Sequence, residues 1–336
     1  TGRLRDQWHG MSRTGTLGRL FGHMSEPSVD LHPDELARQG WREGQLLRVQ
    51  SARGEVVVPA RADEGVAPGQ AYIAMHWGAE YLGGCDSEGR ANSGVNGLTQ
   101  PRFCPTSKQP ELKHAAVSIT PVQLEHGLVA AAWLPADEAL ALRERLKPWM
   151  AKSPYAACVP FGREPDPQGR VGVLFRAARA EAWSADAVAE VSNLFGLDGD
   201  TVMRYDDAAQ HQHRAMKLLQ DGDDRRLTAM LLVGDTAADA WIRPLLQDDQ
   251  PAQAFGSALL APGAEPPVAV ASRGKQVCTC FNVTEPDIVA TLAQCPGEED
   301  NRLSLLQSAL KCGTNCGSCV PALRKLIRIT PVQIAA

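Results

Sequence analysis

The chain has 336 residues, of which 44% are hydrophobic and 22% are charged, and its formal net charge is -5 at pH 7. These proportions are ordinary for a soluble globular protein, and the length allows two or three domains. The acidic balance argues against a nucleic-acid or membrane-surface protein, because those usually carry a basic excess, and no apolar run approaches the roughly 20 residues that cross a bilayer.

Residues 1–22 form a polar opening segment that cannot build a core. The segment contains five glycines, four arginines and a single acid, Asp6. Glycine lets backbone N–H groups approach a ligand closely, and arginine donates hydrogen bonds to phosphates, so the segment is suited to a large anionic ligand. A solvated arginine-rich loop is the alternative. Because the segment lacks the apolar middle of a signal peptide and begins inside a loop-like sequence, we expect a cytoplasmic protein of which this chain is the C-terminal piece.

Residues 1–122 predict a compact, mostly β barrel. Pro33 in the first turn and Gly40 after the last predict a short helix. Pro59 suits a strand end, and the loop 78–100 would lie on the ligand side of the barrel. Strands are predicted at residues 45–50, 55–58, 71–75 and 115–120.

Residues 123–250 predict an α/β module, because helix and strand signals alternate along them. Helices are predicted at 136–147, 185–195 and 236–247, and strands at 156–161, 171–175 and 227–233. The module shows no catalytic constellation, and we expect His211-Gln212-His213 to hold a polar surface pair and no metal. Residues 251–273 contain four prolines and are predicted to be a linker.

Residues 274–336 predict a small helical domain around a metal centre. Six of the nine cysteines lie between positions 278 and 319. Cys278 with Cys280, and Cys316 with Cys319, bring four thiolates from two loops, enough for a tetrahedral zinc ion or a small iron-sulfur cluster. Cys312 can replace one of the first pair. The helices are predicted to start at Thr284 and to cover 303–311 and 320–329.

Seven short motifs in the first 113 residues occur in an order that resembles one family. They are Thr1-Gly2-Arg3 with Trp8-His9, Met11-x-Arg13-Thr14-Gly15, the His32-Pro33 helix start, Ser51-x-Arg53-Gly54, Met75-His76-Trp77, Val95-Asn96-x-Leu98-Thr99, and Pro105 through Lys113. This region resembles the last domain of the molybdopterin dinucleotide oxidoreductases, and within that group the assimilatory nitrate reductases.

That resemblance implies a double-psi β-barrel that binds bis-molybdopterin guanine dinucleotide. It places His76 or Trp77 nearer the substrate pocket. Arginine and lysine would neutralise the pyrophosphate, while threonine and asparagine would read the heterocycle edges. The cofactor contacts implied are Thr1, Gly2, Arg3, Trp8, His9, Arg13, Thr14, Asn96 and Lys113.

The two later regions also resemble known proteins. Residues 213–260 are similar to the C-terminal region of NADH-dependent nitrite reductases, which implies a docking or spacer role. The cysteine spacing of the last region resembles the bacterioferritin-associated-ferredoxin type of 2Fe-2S domain. This implies a 2Fe-2S cluster held by Cys278, Cys280, Cys316 and Cys319, with zinc as the alternative.

Together these resemblances predict the C-terminal part of a cytoplasmic molybdenum nitrate reductase. The molybdenum ligand and the N-terminal cluster motif are not in this sequence, so we expect this chain to be inactive alone. The expected partners are the N-terminal catalytic part of the same enzyme and an electron donor, either a reductase or a ferredoxin or flavodoxin. Another enzyme of the superfamily, such as a formate dehydrogenase, and a stand-alone electron-transfer or zinc module are the alternatives.

Overall fold

The structure, a computed structural model, describes residues 1–4, 16–110, 114–162, 166, 168–263 and 265–332. These residues form a multidomain fold of mostly sheet, with a few helices and a small helical domain at the C-terminal end. In the described part of the chain, no helix is both long and apolar enough to span a bilayer.

The first region forms a curled sheet. Its elements are β1 Val29–Leu31, α1 Pro33–Gln39, β2 Leu46–Gln50, β3 Glu55–Ala62, β4 Ala71–Tyr72, β5 Leu82–Gly83 and β6 Ser118–Pro121. Five strands pair in the order β4-β1-β3-β2-β6. The β1–β3 pair is parallel and the other pairs are antiparallel.

Local sequence determines much of this region. Helix α1 starts and ends as predicted: the His32 side chain accepts a hydrogen bond from the Asp34 N–H, and Gly40 ends the helix at φ +69°, a conformation that favours glycine. The prediction that Pro59 ends a strand was wrong. Pro59 pairs with Leu46 inside β3, at the point where β3 changes partner from β2 to β1, so its missing N–H falls between two ladders.

The middle region adds a second, fully antiparallel sheet. Its elements are β7 His126–Pro135, α2 Ala136–Met150, β8 Tyr155–Phe161, β9 Arg170–Arg179, α3 Ala185–Leu194, β10 Met203–Asp207, β11 Gln212–Asp221, β12 Asp224–Gly234 and α4 Asp239–Gln247. The strand order is β10-β11-β12-β7-β9-β8-β5. Because β5 comes from the first region, the two regions share one core, to which Trp77, Leu82 and Trp133 contribute.

The helices of the middle region follow the predicted caps, with two differences. Ser184 caps α3 as predicted, since its hydroxyl accepts the Ala187 N–H at 3.3 Å. Helix α2 continues through Pro148, because burial of Trp149 and Met150 outweighs the one backbone bond that proline removes. Helix α4 begins at Asp239 and not at residue 236, after a turn that the side chain of Asp235 caps.

The first part of the predicted linker is folded against the middle region. Two short 3-10 turns on either side of a kink at Gly256 cover Gln253–Leu259. The ring of Phe255 stacks on Trp241 with a centroid separation of 5.6 Å. Leu259 is buried, and the Arg214 guanidinium donates to the Ala261 carbonyl at 3.0 Å. Apolar residues that lie among the prolines make these contacts. The prediction of a linker overlooked these apolar residues.

The C-terminal region has its own core, and its first and third helices match the sequence prediction, whereas the second begins at Glu299, four residues earlier than predicted. Its elements are β13 Gln276–Cys278, β14 Val283–Thr284, α5 Glu285–Leu292, α6 Glu299–Leu310 and α7 Val320–Ile329. Thr284 and Asp287 form the predicted capping box at the start of α5. The short β13–β14 hairpin carries the first two cysteines, and α7 begins directly after the last one.

Candidate cofactor-binding sites

The first three residues lie against the chain segment that leads to His76. Gly2 pairs with Ala74 in a parallel bridge, and its carbonyl accepts the Met75 N–H at 2.9 Å. The hydroxyl of Tyr72 donates to the Arg3 carbonyl at 3.2 Å. The structure therefore brings Thr1–Arg3 next to His76, as expected if they line one site.

Backbone contacts around Trp77 bring Asn96 to the surface that Thr1–Arg3 occupy beside His76. The Val95 N–H donates to the Trp77 carbonyl at 2.9 Å, which places the exposed Asn96 one residue further along. Gly94 at φ +73° packs so closely on the Trp77 carbonyl that a Cβ would lie 2.4 Å from it, so only glycine fits there.

His76 and Trp77 have different surroundings from those expected of pocket residues. Trp77 is 1% exposed and its ring lies 6.3 Å from Phe21 and 6.2 Å from Tyr81, so it is a core residue. His76 is buried as well. Several implied contacts lie outside the described residues and stay predictions: Trp8, His9, Arg13, Thr14 and Lys113.

The four predicted cluster cysteines meet as two thiol pairs. The Sγ atoms of Cys280 and Cys316 are 3.4 Å apart, and the Cys319 thiol donates a hydrogen bond to Cys278. Cys278 and Cys319 are buried, whereas Cys280 is partly exposed and Cys316 is exposed. One pair thus lies inside the domain and the other at its surface.

The surroundings favour the thiolate of Cys278, whereas hydrogen bonding to Cys278 raises the pKa of the Cys319 thiol. Donation from the Cys319 thiol and from the backbone N–H groups of Gly313, Phe281 and Cys280 lowers the pKa of Cys278 to about 6. Burial raises the pKa of Cys280, although the Cys316 N–H and the side chain of Asn315 donate to its sulfur. Backbone donors of this kind stabilise the sulfurs of iron-sulfur clusters.

Gly313 supplies one of these backbone donors. At φ +84° it favours glycine, and it turns its N–H toward Cys278. Phe281 and Asn315 were missed by sequence reasoning. Their positions in the sequence, directly beside Cys280 and Cys316, could have indicated that they contact the cysteine sulfurs.

Other candidate ligands are not members of these two pairs. Cys312 is fully buried in the domain core, where burial and the neighbouring Cys278 raise its pKa to about 11. His213 is held by the Asp206 carboxylate at 2.5 Å across the β10–β11 pair, a partner that sequence spacing did not reveal. Within the described ranges, no three His, Cys, Asp or Glu side chains form a group suited to a single metal ion.

Comparison with known families identifies the class of protein. Residues 1–116 match the family described as "Molydopterin dinucleotide binding domain", and residues 276–329 match the "BFD-like [2Fe-2S] binding domain". The chain therefore combines a molybdopterin dinucleotide domain and a 2Fe-2S domain. The donor set fits the second group, because four cysteines in two pairs can supply two thiolates to each iron.

Individual proteins that match the chain indicate which enzymes of this class it resembles. The nitrate reductase of Klebsiella oxytoca is 32% identical over 346 aligned residues, which cover 97% of this chain and 33% of that protein. The nitrate reductase of Synechocystis sp. is 36% identical over 36% of this chain and 16% of its own length. The F420-dependent formate dehydrogenase 1 subunit alpha of Methanococcus maripaludis is 30% identical over 35% of this chain and 16% of its own length. The chain thus spans about a third of the Klebsiella relative.

Proposed function

We propose that this chain is the C-terminal part of a cytoplasmic, molybdenum-dependent nitrate reductase of nitrate assimilation. The observation that carries the proposal is the similarity to the Klebsiella oxytoca nitrate reductase, which extends over 97% of the chain and so includes both cofactor domains and the module between them. When bound, the molybdenum cofactor supplies the oxygen-atom transfer that converts nitrate, two electrons and two protons into nitrite and water.

Formate oxidation is the competing proposal within the same superfamily. Similarity to the formate dehydrogenase covers only 35% of the chain, and the Synechocystis nitrate reductase matches a similar 36%. A dinucleotide domain shared by both enzymes does not select the substrate. The middle module and the 2Fe-2S domain, which the Klebsiella match includes, favour nitrate.

We assign the dinucleotide to the surface that Thr1–Arg3 and Asn96 share, completed by Trp8, His9, Arg13, Thr14 and Lys113, with His76 nearer the substrate pocket. The exposed Arg3 guanidinium supplies positive charge for the pyrophosphate, and the Asn96 amide can both donate to and accept from a heterocycle edge. A double-psi barrel over residues 1–122 is consistent with the parallel β1–β3 pair in an otherwise antiparallel sheet.

We assign the 2Fe-2S cluster to Cys278, Cys280, Cys316 and Cys319. The contacts between sulfurs support Cys278 with Cys319 on one iron and Cys280 with Cys316 on the other. The exposure of Cys316 supports this side of the domain as the point at which a donor reductase, ferredoxin or flavodoxin would deliver electrons. The N-terminal catalytic part of the enzyme completes the molybdenum site.

We divide the chain into a dinucleotide domain (1–122), a middle module (123–250), a connection (251–273) and the cluster domain (274–336). The contacts of Phe255 and Leu259 support extending the middle module through the start of the connection.

The test uses the full-length enzyme. We expect molybdenum and iron in the purified protein, an EPR signal from the reduced cluster, and nitrite formation with reduced methyl viologen as electron donor. Formate oxidation without nitrate reduction would show that the enzyme is a formate dehydrogenase instead. Zinc without iron or an EPR signal would replace it with a zinc-containing interaction module.

A further inference from the structure

Residues 18–26, the junction segment, contact all three parts of the molecule. The segment contains the 3-10 helix Gly18–Phe21 and leads from the opening residues into β1. It lies on the end of β8, on the core around Trp77, and on the β13–β14 hairpin of the cluster domain.

The junction segment is fixed to the middle region at two points and to the core of the first region at a third. A Cβ on Gly18 would lie 2.3 Å from the Phe161 carbonyl oxygen, so the two backbones are in direct contact. The buried Phe21 ring lies 5.3 Å from that of Tyr81. Glu26 makes ion pairs with Arg176 at 2.7 Å and Arg243 at 2.5 Å.

Gly22 is the point at which the cluster domain touches the junction segment. A Cβ there would lie 2.2 Å from Oε1 and 3.0 Å from Cδ of Gln276, which lies two residues before Cys278 on β13. Gly22 itself has φ −66° and ψ −30°, which any residue adopts. A larger residue at position 22 therefore requires the end of the Gln276 side chain to move but does not strain the backbone.

We propose that Gly22 and Gln276 form the docking contact that holds the 2Fe-2S domain in a fixed position on the dinucleotide domain, so that electrons leave the cluster from a docked domain and not from a swinging one. This inference rests on the proposed nitrate reductase function. Each reoxidation of the cluster releases one electron, and two such electrons with two protons reduce one nitrate to nitrite and water. Gln276 is kept in place by the side chain of Asn282, whose Oδ1 lies 3.5 Å from Nε2 of Gln276.

The test is a stopped-flow measurement on the full-length enzyme. The cluster is reduced with stoichiometric dithionite, nitrate is added, and the return of the visible absorption of the oxidised cluster is followed with and without glycerol. In the wild type we expect a rate that does not depend on viscosity. Gly22→Leu fills the space of the Gln276 side chain, so we expect reoxidation at least about tenfold slower and viscosity-dependent, with unchanged iron content and EPR signal.

Two further variants and one control make the result specific. Gly22→Ala requires only a rotation of the Gln276 side chain, so we expect a small decrease in the rate of cluster reoxidation. Adding Gln276→Ser to this variant should restore the wild-type rate. A Cβ on Gly199 would have no heavy atom within 4 Å apart from its chain neighbours, and Gly199→Leu should leave the rate unchanged. Equal rates for wild type and Gly22→Leu would overturn the docking contact. A wild-type enzyme that never reoxidises its cluster with nitrate would instead overturn the proposed function.

Discussion

Cys312 is the residue for which sequence and structure give the sharpest contrast. The sequence allows it as a ligand, because it continues the spacing of Cys316 and Cys319. In the structure its thiol is fully buried in the domain core and belongs to neither thiol pair, Cys278 with Cys319 or Cys280 with Cys316. Cys278 differs, since its pKa is lowered by the donors around it.

We therefore expect Cys312→Ala to keep the full cluster and Cys278→Ala to lose it. The first variant removes only a packed sulfur, at a cost of about 1 kcal/mol in the free energy of unfolding. Iron content per chain and visible absorption measure the outcome. Iron lost from Cys312→Ala but retained in Cys278→Ala would reverse the ligand assignment.

At the scale of elements, Arg302 joins the ends of two helices in the cluster domain. It is buried and donates to the carbonyls of Leu292 and Cys295 at the end of α5, and to Ile327 and Thr330 at the end of α7, over 2.7–3.1 Å. These carbonyls belong to the last turns of the helices, which lack partners of their own. One planar guanidinium thus closes both helix ends.

We expect Arg302→Met to destabilise the cluster domain by about 3 kcal/mol, because several buried carbonyls lose their donor. Arg302→Lys should retain only part of the lost stability, since a single ammonium group cannot reproduce the planar set of donors of the guanidinium. The measurement is thermal loss of the cluster's visible absorption. Arg324→Met is the matched control: Arg324 pairs with Glu299 at the surface, and we expect little change. Equal losses in both variants would refute the role of Arg302.

Elements with strong local signals could be predicted from the sequence, and those that depend on distant pairing could not. Helices α1, α3, α5 and α7 have caps, prolines or glycines that mark their ends, and their starts agree with the prediction. Strands β7 and β11 are rich in alanine, leucine, methionine and lysine, which favour helices, so their pairing in the second sheet overrides local preference.

The candidate sites divide in the same way. The spacing of the cysteines in the sequence was sufficient to predict that the four thiols lie close together. The contact of Gly22 with Gln276 joins residues 254 positions apart in sequence and could be found only in three dimensions. The same holds for the addition of β5 to the second sheet, because strand order depends on which edge is left open by the whole fold.

At the scale of the whole molecule, a closed network of four charges joins the junction segment to the middle region. Arg176 and Arg243 each pair with both Glu26 and Asp239, over 2.5–3.3 Å, and the four side chains are largely buried. Burial alone would raise the pKa of Glu26, but the two guanidinium groups outweigh it and lower the pKa below its ordinary value of 4.5.

We expect Glu26→Gln to lower the free energy of unfolding by about 3 kcal/mol at pH 7, because it leaves two buried arginines with one carboxylate. Since the pKa of Glu26 is lowered in the folded state, its contribution is present above the ordinary value of 4.5 and is lost as the pH falls toward the folded value. Urea unfolding from pH 7 to pH 4 should therefore show a difference between wild type and variant that shrinks with acidification. Glu144→Gln, which breaks an exposed pair with Lys147, is the control and should change little at any pH. A difference that is absent at pH 7, or that grows as the pH falls, would show that this network does not hold the junction segment in place.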